Sequence, residues 1–212
     1  MREWRTPRRP TVLPSGFIEP CNPTVAPRAP SGPLWIHEIK HDGYRLIVRK
    51  ADKRVRIFTR RGFDWTHKFP VIEEAVRKLR VSSVTIDGEA VYCDSNGLTN
   101  FEKLHSQGYN NEVFLYAFDL LELNGGDYRL RPLETRKAHL ERLTARTEGM
   151  RFVEHLGDDG AIVYEHACKF RMEGIVSKRR DLPYRSGRSK SWLKIKNPRA
   201  PAVLRIKEDG VW

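Results

Sequence analysis

Hydrophobic and polar residues alternate in the first half of the chain, and a period of two predicts β-strands. Tyr44, Leu46 and Val48 would share one face of a strand. After a short break at residues 51–53 the alternation resumes and continues to Thr59. Two alternating segments joined by so short a break predict a β-hairpin.

Apolar residues at spacings of three and four predict three amphipathic helices, over residues 69–80, 133–145 and 159–170. The residues predicted to face inward are Leu133, Leu140 and Leu143 in the second helix, and Ile162, Val163, His166, Ala167 and Phe170 in the third. The remaining surface of each helix would face solvent.

Four further strands are predicted over residues 84–92, 113–123, 174–178 and 191–196. The segment 113–123 is apolar enough to be buried on both faces. Because strands and helices are mixed without strict alternation, the pattern predicts an α+β domain with mainly antiparallel sheets.

The two ends of the chain differ from its middle. Eight of the thirteen prolines lie within residues 1–33, which predicts an extended, wrapping N-terminal arm. The main domain would then occupy residues 34–198, and residues 199–212 would form a short C-terminal tail.

The charge of the chain points to a polyanionic partner. Among 212 residues, 39 are Lys or Arg and 27 are Asp or Glu, which gives a net charge of +12. An excess of this size raises the local concentration of polyanions, so nucleic acid is the first candidate, although the same charges can simply solvate helix faces. An aromatic content of 10% argues against a disordered chain.

Cysteine usage and the N-terminus bear on location. Three widely spaced cysteines, Cys21, Cys93 and Cys168, form neither a disulfide framework nor a zinc pattern. The first ten residues lack the apolar segment of a secretory signal, and no apolar run approaches the ~20 residues that span a bilayer. These features predict a cytoplasmic protein.

Common nucleotide-binding motifs are missing from the sequence. It contains neither a GxxxxGK[ST] phosphate loop nor a GxGxxG turn after a strand. A bound nucleotide would therefore be held by side chains: Lys and Arg for phosphate, carboxylates for a metal ion, and an aromatic ring for the base.

Five segments carry candidate chemistry: K-H-D-G-Y-R at 40–45, D-G-E at 87–89, F-D at 118–119, E-G-I-V-S-K at 173–178 and W-L-K-I-K at 192–196. A lysine before an Asp-Gly turn can present its amine in a cleft, although Asp-Gly alone is often just a turn. Acidic residues are unfavourable inside a β-branched strand, so ligand or metal contact would explain Asp87 and Glu89; a solvated edge turn is the alternative.

These segments, with T-R-R-G at 59–62, resemble in order the covalent nucleotidyltransferases, and among them the adenylation domain of ATP-dependent DNA ligases. The resemblance covers about residues 17–198. The segments H-E-I-K-H-D-G-Y-R, Y-A-F-D-L-L and P-Y-R-S-G-R-S are most similar to those of bacterial end-joining ligases of the ligase D kind. It implies an ATP-grasp-like fold, in which two mainly antiparallel sheets flanked by helices enclose a nucleotide cleft.

The resemblance also implies a chemistry. Lys40 would attack the α-phosphorus of ATP and hold AMP through a phosphoramidate bond. A protonated amine is a poor nucleophile, so Lys194 and Lys196 would act as catalytic cations that favour the neutral amine and neutralise the α-phosphate. Glu89 and Glu173 would hold Mg²⁺, which prefers hard oxygen ligands. ATP and Mg²⁺ are the expected cofactors.

The nucleotide contacts that the resemblance implies are Glu38, Ile39, Arg45, Arg60, Glu89, Phe118, Ile175, Val176, Lys194 and Lys196. Phe118 would stack on adenine, with Ile175 or Val176 closing the other face. Glu38 would lie near the adenine amino group. Arg45 and Arg60 would contact the ribose or the 5′-phosphate of a nick.

In such ligases AMP passes to a DNA 5′-phosphate, so nicked duplex DNA is the expected partner and the bacterial nucleoid the expected location. Phosphate contacts would grip the duplex without reading its sequence. The residues predicted to contribute are Arg179, Arg180, Arg185, Arg188 and Lys190, which could equally form a solvated basic loop.

Only sixteen residues follow Lys196, too few for the OB-fold domain that usually continues such ligases and carries a last basic motif. The chain would then be a natural minimal ligase domain, an isolated piece, or a subunit completed by a separate OB-fold or end-joining protein. In the last case it could be a nick- or end-binding module that lacks full activity alone.

Two other functions share part of the pattern. RNA capping or RNA ligation also uses a KxDG lysine, and a preference for GTP would identify capping. A non-catalytic DNA-binding remnant could keep the fold, but the intact Lys40, Glu89 and Glu173 argue against decay.

Overall fold

A computed structural model describes residues 12–106, 108–157 and 159–208. Its strands are β1 (Cys21–Val25), β2 (Trp35–Ile39), β3 (Tyr44–Ala51), β4 (Arg54–Thr59), β5 (Ser83–Val91), β6 (Phe114–Leu123), β7 (Gly126–Asp127), β8 (Met150–Phe152), β9 (Gly174–Arg179) and β10 (Gly187–Lys196). Its α-helices are α1 (Pro70–Arg77), α2 (Phe101–His105), α3 (Leu133–Thr144), α4 (Gly160–Lys169) and α5 (Pro201–Glu208), and a 3₁₀ turn spans Thr66–Lys68.

The strands form two sheets. Sheet A has the strand order β1-β10-β9-β2, and sheet B has the order β4-β3-β5-β6-β7, with β8 beside β6. The pairs β1–β10 and β6–β8 are parallel, and the other pairs are antiparallel. The predicted fold class, an α+β domain with two mainly antiparallel sheets, is confirmed.

Apolar side chains bury both faces of sheet B. On one face Leu46 and Val48 pack with Ile72 and Val76 of α1 in the largest cluster. The opposite face contributes Ile47, Phe58, Phe118 and Leu121 to a second cluster, which sheet A completes with Cys21 and Trp192. Because both faces are covered, β6 is a nearly continuous apolar run, as predicted for 113–123.

Helix α4 covers sheet A with a narrower face than predicted, which includes two of the five residues expected to face inward. Val163 and Ala167 pack on Ile175 and Ile195, whereas Ile162 and Phe170 are 55% and 64% exposed and His166 is also exposed. Gly160, the first residue of the helix, is buried on the same face as Val163 and Ala167. The helix approaches β2 so closely there that a Cβ at Gly160 would lie 2.5 Å from His37 Cε1. This close approach, which periodicity does not reveal, sets the rotation of the helix.

Both ends of the described chain contribute to the folded domain. Within the predicted arm, β1 joins the edge of sheet A and Cys21 is buried; the arm's first eleven residues lie outside the described part. In the predicted tail, α5 places Arg205 against Asp42. In the described part of the chain, no helix is long and apolar enough to cross a membrane.

Candidate active site

A cleft of about 950 Å³ is lined by residues from both sheets. This volume is within the range of small-molecule sites. Sheet A contributes residues of β1, β2, β9 and β10, and sheet B contributes residues of β3, β4, β5 and β6. The cleft therefore lies where the resemblance places a nucleotide.

Lys40 follows β2 directly and lines the cleft, with its side chain 25% exposed. Its Nζ donates a hydrogen bond to the Glu173 carboxylate, and its backbone N–H donates to the Gly174 carbonyl at 2.9 Å. The turn that follows requires glycine, because a Cβ at Gly43 would lie 2.1 Å from the Ala90 carbonyl oxygen. The backbone contacts thus fix the main chain at Lys40, and the Glu173 carboxylate holds the amine in the cleft, outside the core.

Two carboxylates accompany this amine, as predicted. Glu173 has a side chain only 4% exposed, and Glu89 on β5 also lines the cleft. Burial raises the pKa of Glu89 to about 7, against the opposing charges of Lys40 and Arg45. Among the described residues no three candidate metal-ligating side chains cluster together. A metal ion here would rely on these two acids and on ligand oxygens.

The pKa of Glu89 predicts a pH-dependent effect on stability. A carboxyl with a higher pKa in the folded than in the unfolded chain binds more protons when folded, so its contribution falls as the pH rises from about 4.5 to about 7. Glu89→Gln removes this contribution. The unfolding free energy of the variant minus that of wild type should therefore increase by about 2 kcal/mol when the pH is raised from about 5 to about 8.

Urea denaturation of both proteins at the two pH values measures this change. Other titrating groups, including His41, whose pKa burial lowers to about 4, are shared by both proteins and largely cancel. A variant-minus-wild-type difference that does not change with pH would show that Glu89 is already ionised at pH 5.

The two lysines of β10 differ in position. Lys194 lines the cleft, and burial together with the charges of Lys196, Lys40 and Arg60 lowers its pKa. Lys196 does not line the cleft, so its predicted direct contact with a nucleotide has no support in the geometry. The opposite face of β10, with Leu193 and Ile195, packs under α4 as the alternation predicts.

The end of the cleft predicted to hold the base contains Phe118 and Val176. Phe118 is 8% exposed, with the Arg45 guanidinium 4.5 Å and the Lys178 ammonium 4.4 Å from its ring centroid. Ile175 was predicted to contact the nucleotide, but it is fully buried under α4. Successive residues of a strand point to opposite faces, so Ile175 lies on the face of β9 opposite to Val176, which lines the cleft. Ile39 lines the cleft as predicted.

Arg45 is held by a buried network. Its Nε and Nη2 donate to Asp87 at 2.5 and 2.6 Å, and the Tyr184 hydroxyl donates to the same carboxylate at 2.6 Å. Tyr184 also accepts the backbone N–H of Cys21 at 2.8 Å, which connects strand β1 to the cleft. Arg45 thus lines the cleft in a fixed orientation, whereas Arg60 lines it from an exposed position.

Glu38 lies in the cleft wall but is only 3% exposed. Its two carboxylate oxygens accept from Lys137 and Lys178, at 2.6 and 2.5 Å. Sequence reasoning assigned no role to these lysines, to Tyr184 or to Arg205. For the two lysines, the signal available in the sequence was a charged residue at a position where the helix or strand pattern expects an apolar one.

Sequence comparison identifies the family. The sequence profile of the ATP dependent DNA ligase domain matches residues 25–196. The chain belongs to this family. It is 37% identical over 185 residues to the multifunctional non-homologous end joining protein LigD of Pseudomonas aeruginosa, a match that covers 85% of this chain and 22% of that protein. With LigD of Mycobacterium tuberculosis it shares 37% identity over 164 residues, which cover 77% and 22%.

Solved structures agree with the sequence match. The crystal structure of the ligase domain from M. tuberculosis LigD superimposes with a TM-score of 0.71 at 34% identity, covering 83% of this chain and 60% of that one. A mycobacterial DNA ligase D complexed with ATP and MES gives a TM-score of 0.70, also at 34% identity. The present ligase domain spans about a fifth of the length of the LigD proteins it matches.

In this ligase domain the basic residues predicted to grip a duplex, which run from Arg179 at the end of β9 to Lys190 in β10, are partly neutralised. Arg179 pairs with Asp181 at 2.7 Å, and Arg180 pairs with Glu134 at 2.9 Å. Arg188 lines the cleft. Of the five residues predicted to grip a duplex, it is thus the one whose position also borders the candidate active site.

Proposed function

We propose that this ligase domain is the adenylation module of an ATP-dependent DNA ligase that acts in strand-break repair. It forms a lysyl-AMP intermediate on Lys40 and transfers AMP to a DNA 5′-phosphate for nick sealing. The observation that carries the proposal is the position of Lys40 Nζ, bonded to Glu173 in a cleft that Glu89 and Lys194 also line.

The first step joins Lys40 to the nucleotide. Nζ attacks the α-phosphorus of ATP, an N–P bond forms, and the P–O bond to the leaving pyrophosphate breaks. The amine must lose a proton, and the Glu173 carboxylate, which accepts a hydrogen bond from it, is placed to receive it. Lys194, with its lowered pKa, lies in the same cleft and would neutralise developing negative charge on the phosphate.

The donor set fits a magnesium ion. Mg²⁺ is usually bound by one or two carboxylates together with substrate phosphates and water, and Glu89 and Glu173 supply two carboxylates beside the amine. When bound, the ion would act as a Lewis acid that neutralises phosphate charge. The requirement for Mg²⁺ is part of the proposal.

The remaining contacts are proposed along the cleft wall. Phe118 and Val176 would enclose the base, and Glu38 would accept from its amino group. Arg45 and Arg60 would contact the ribose or the 5′-phosphate of the nick. All five line the cleft.

The second and third steps need DNA. A 5′-phosphate oxygen attacks the AMP phosphorus and the N–P bond to Lys40 breaks; the adjacent 3′-hydroxyl then displaces AMP. The charge of +12 and the position of Arg188 support a nicked duplex as substrate, at the bacterial nucleoid. A separate OB-fold or end-joining protein is the proposed partner for full activity.

Incubation with α-labelled ATP and Mg²⁺, followed by a denaturing gel, tests the proposal. A labelled band that disappears on addition of pyrophosphate supports it. If no band forms but a pre-adenylated nick is sealed, the chain is the binding and sealing module that lacks full activity without its partner. If neither reaction occurs at any tested concentration of an added OB-fold or end-joining protein, the proposal of ligase activity is contradicted.

A further inference from the structure

Glu38 is held by two ammonium groups that come from different parts of the fold. Lys178 belongs to β9, in the same sheet as Glu38, and bonds Oε2 at 2.5 Å. Lys137 belongs to α3 and bonds Oε1 at 2.6 Å, across 99 residues of sequence. All three side chains are at most 3% exposed. We call these residues the Glu38 triad.

Lys137 has no role in the cleft wall itself. Glu38 and Lys178 line the cleft, whereas Lys137 does not. Its Nζ also donates to the Val153 carbonyl at 3.0 Å and lies 4.3 Å from the ring centroid of Phe152. Of the groups that fix its ammonium, Glu38 and Val153 line the cleft. The Val153 carbonyl is engaged by Lys137 itself, so Glu38 is the partner through which Lys137 can offer a hydrogen-bond acceptor to a ligand.

The position of α3 relative to both sheets is defined by two adjacent residues. Arg136 donates to Asp119 of β6 at 2.7 and 2.8 Å, and Lys137 donates to Glu38 of β2. One helix turn thus holds a carboxylate in each sheet. Only the Glu38 carboxylate reaches the cleft, since Asp119 does not line it.

A carboxylate held in this way can select a base. It only accepts hydrogen bonds, with about four acceptor positions on its two oxygens, and the two lysines occupy one on each oxygen. A base edge with an amino group can donate to a remaining position, whereas a keto oxygen would meet it with lone pairs. Without Lys137, Glu38 could turn further towards Lys178, and the acceptor at the cleft wall would shift.

We propose that Lys137 is a positioning residue that fixes the Glu38 carboxylate for recognition of an exocyclic amino group on the purine base. The inference rests on the proposed function, because it assigns base recognition within the same cleft. Helix α3, which lies outside the cleft, then contributes to the preference for ATP.

The test compares ATP with purine riboside 5′-triphosphate, which lacks the 6-amino group. Lysine labelling is measured in the full chain for wild type, Lys137→Met and Lys169→Met. In Lys137→Met the ATP concentration for half-maximal rate should rise about tenfold, with the maximal rate within about twofold, and the preference for ATP should fall by a similar factor. Lys169→Met, the same change at a lysine that is 63% exposed on α4 and does not line the cleft, should keep the preference.

Lys137→Gln, which keeps an N–H donor, is the second variant if Lys137→Met does not fold, and its preference should fall in the same direction. An unchanged preference in a folded Lys137 variant, or an equal loss in Lys169→Met, overturns the inference. Calorimetric binding of both nucleotides to Lys40→Ala, with and without Lys137→Met, measures the preference without covalent chemistry. Failure of labelling in wild type would therefore contradict the proposed function alone.

Discussion

Lys40→Ala should abolish covalent labelling by α-labelled ATP, a loss of at least about a thousandfold in rate. The nitrogen that forms the bond to phosphorus is removed, and no other group can replace an atom of the intermediate. Lys40→Arg should fail as well, because a guanidinium stays protonated at neutral pH. The measurement is the initial rate of band formation on a denaturing gel.

A surface lysine provides the control for this change. Lys169 is 63% exposed and pairs with Glu165 on the outside of α4, so Lys169→Ala should label at the wild-type rate. Two other described lysines line the cleft, Lys178, whose amine is paired with Glu38, and Lys194. Labelling that persists in Lys40→Ala but disappears in Lys194→Ala would reassign the nucleophile and contradict the mechanism.

The main strands and the reactive lysine could be predicted because their signals are local. Alternation in β3 and β4 and the apolar run of β6 each reflect faces that the fold buries. The motif around Lys40 fixes a turn through Gly43, whose close approach to Ala90 leaves no room for a side chain. The structure places Lys40, Glu89, Glu173 and Lys194 at one cleft, as the motif order implied.

Features that depend on distant partners could not be predicted. The inward face of α4 follows from contact between Gly160 and His37, and the role of Asp87 depends on Tyr184, 97 residues away. Helix α3 shows the same limit. Its apolar spacing includes Arg136 and Lys137 beside the buried Leu133 and Leu140, and only the tertiary structure supplies their carboxylate partners.

Arg136→Met should strongly destabilise the fold. Arg136 and Asp119 are both fully buried, joined by two hydrogen bonds of 2.7 and 2.8 Å. Arg136 also donates to the carbonyls of Arg131 and Leu182. Removal of the guanidinium leaves a buried carboxylate without its cation, and such changes reduce unfolding free energy by about 3–5 kcal/mol. Urea denaturation at neutral pH measures the loss.

The double variant Arg136→Met, Asp119→Leu separates the pair from the packing around it. It contains no unpaired buried charge, so its unfolding free energy should lie closer to wild type than that of Arg136→Met alone. Asp181→Ala, which breaks the partly exposed pair with Arg179, should leave the urea midpoint almost unchanged. If the two buried substitutions instead add their losses, Arg136 stabilises α3 through its carbonyl contacts, and the ion pair with Asp119 contributes little.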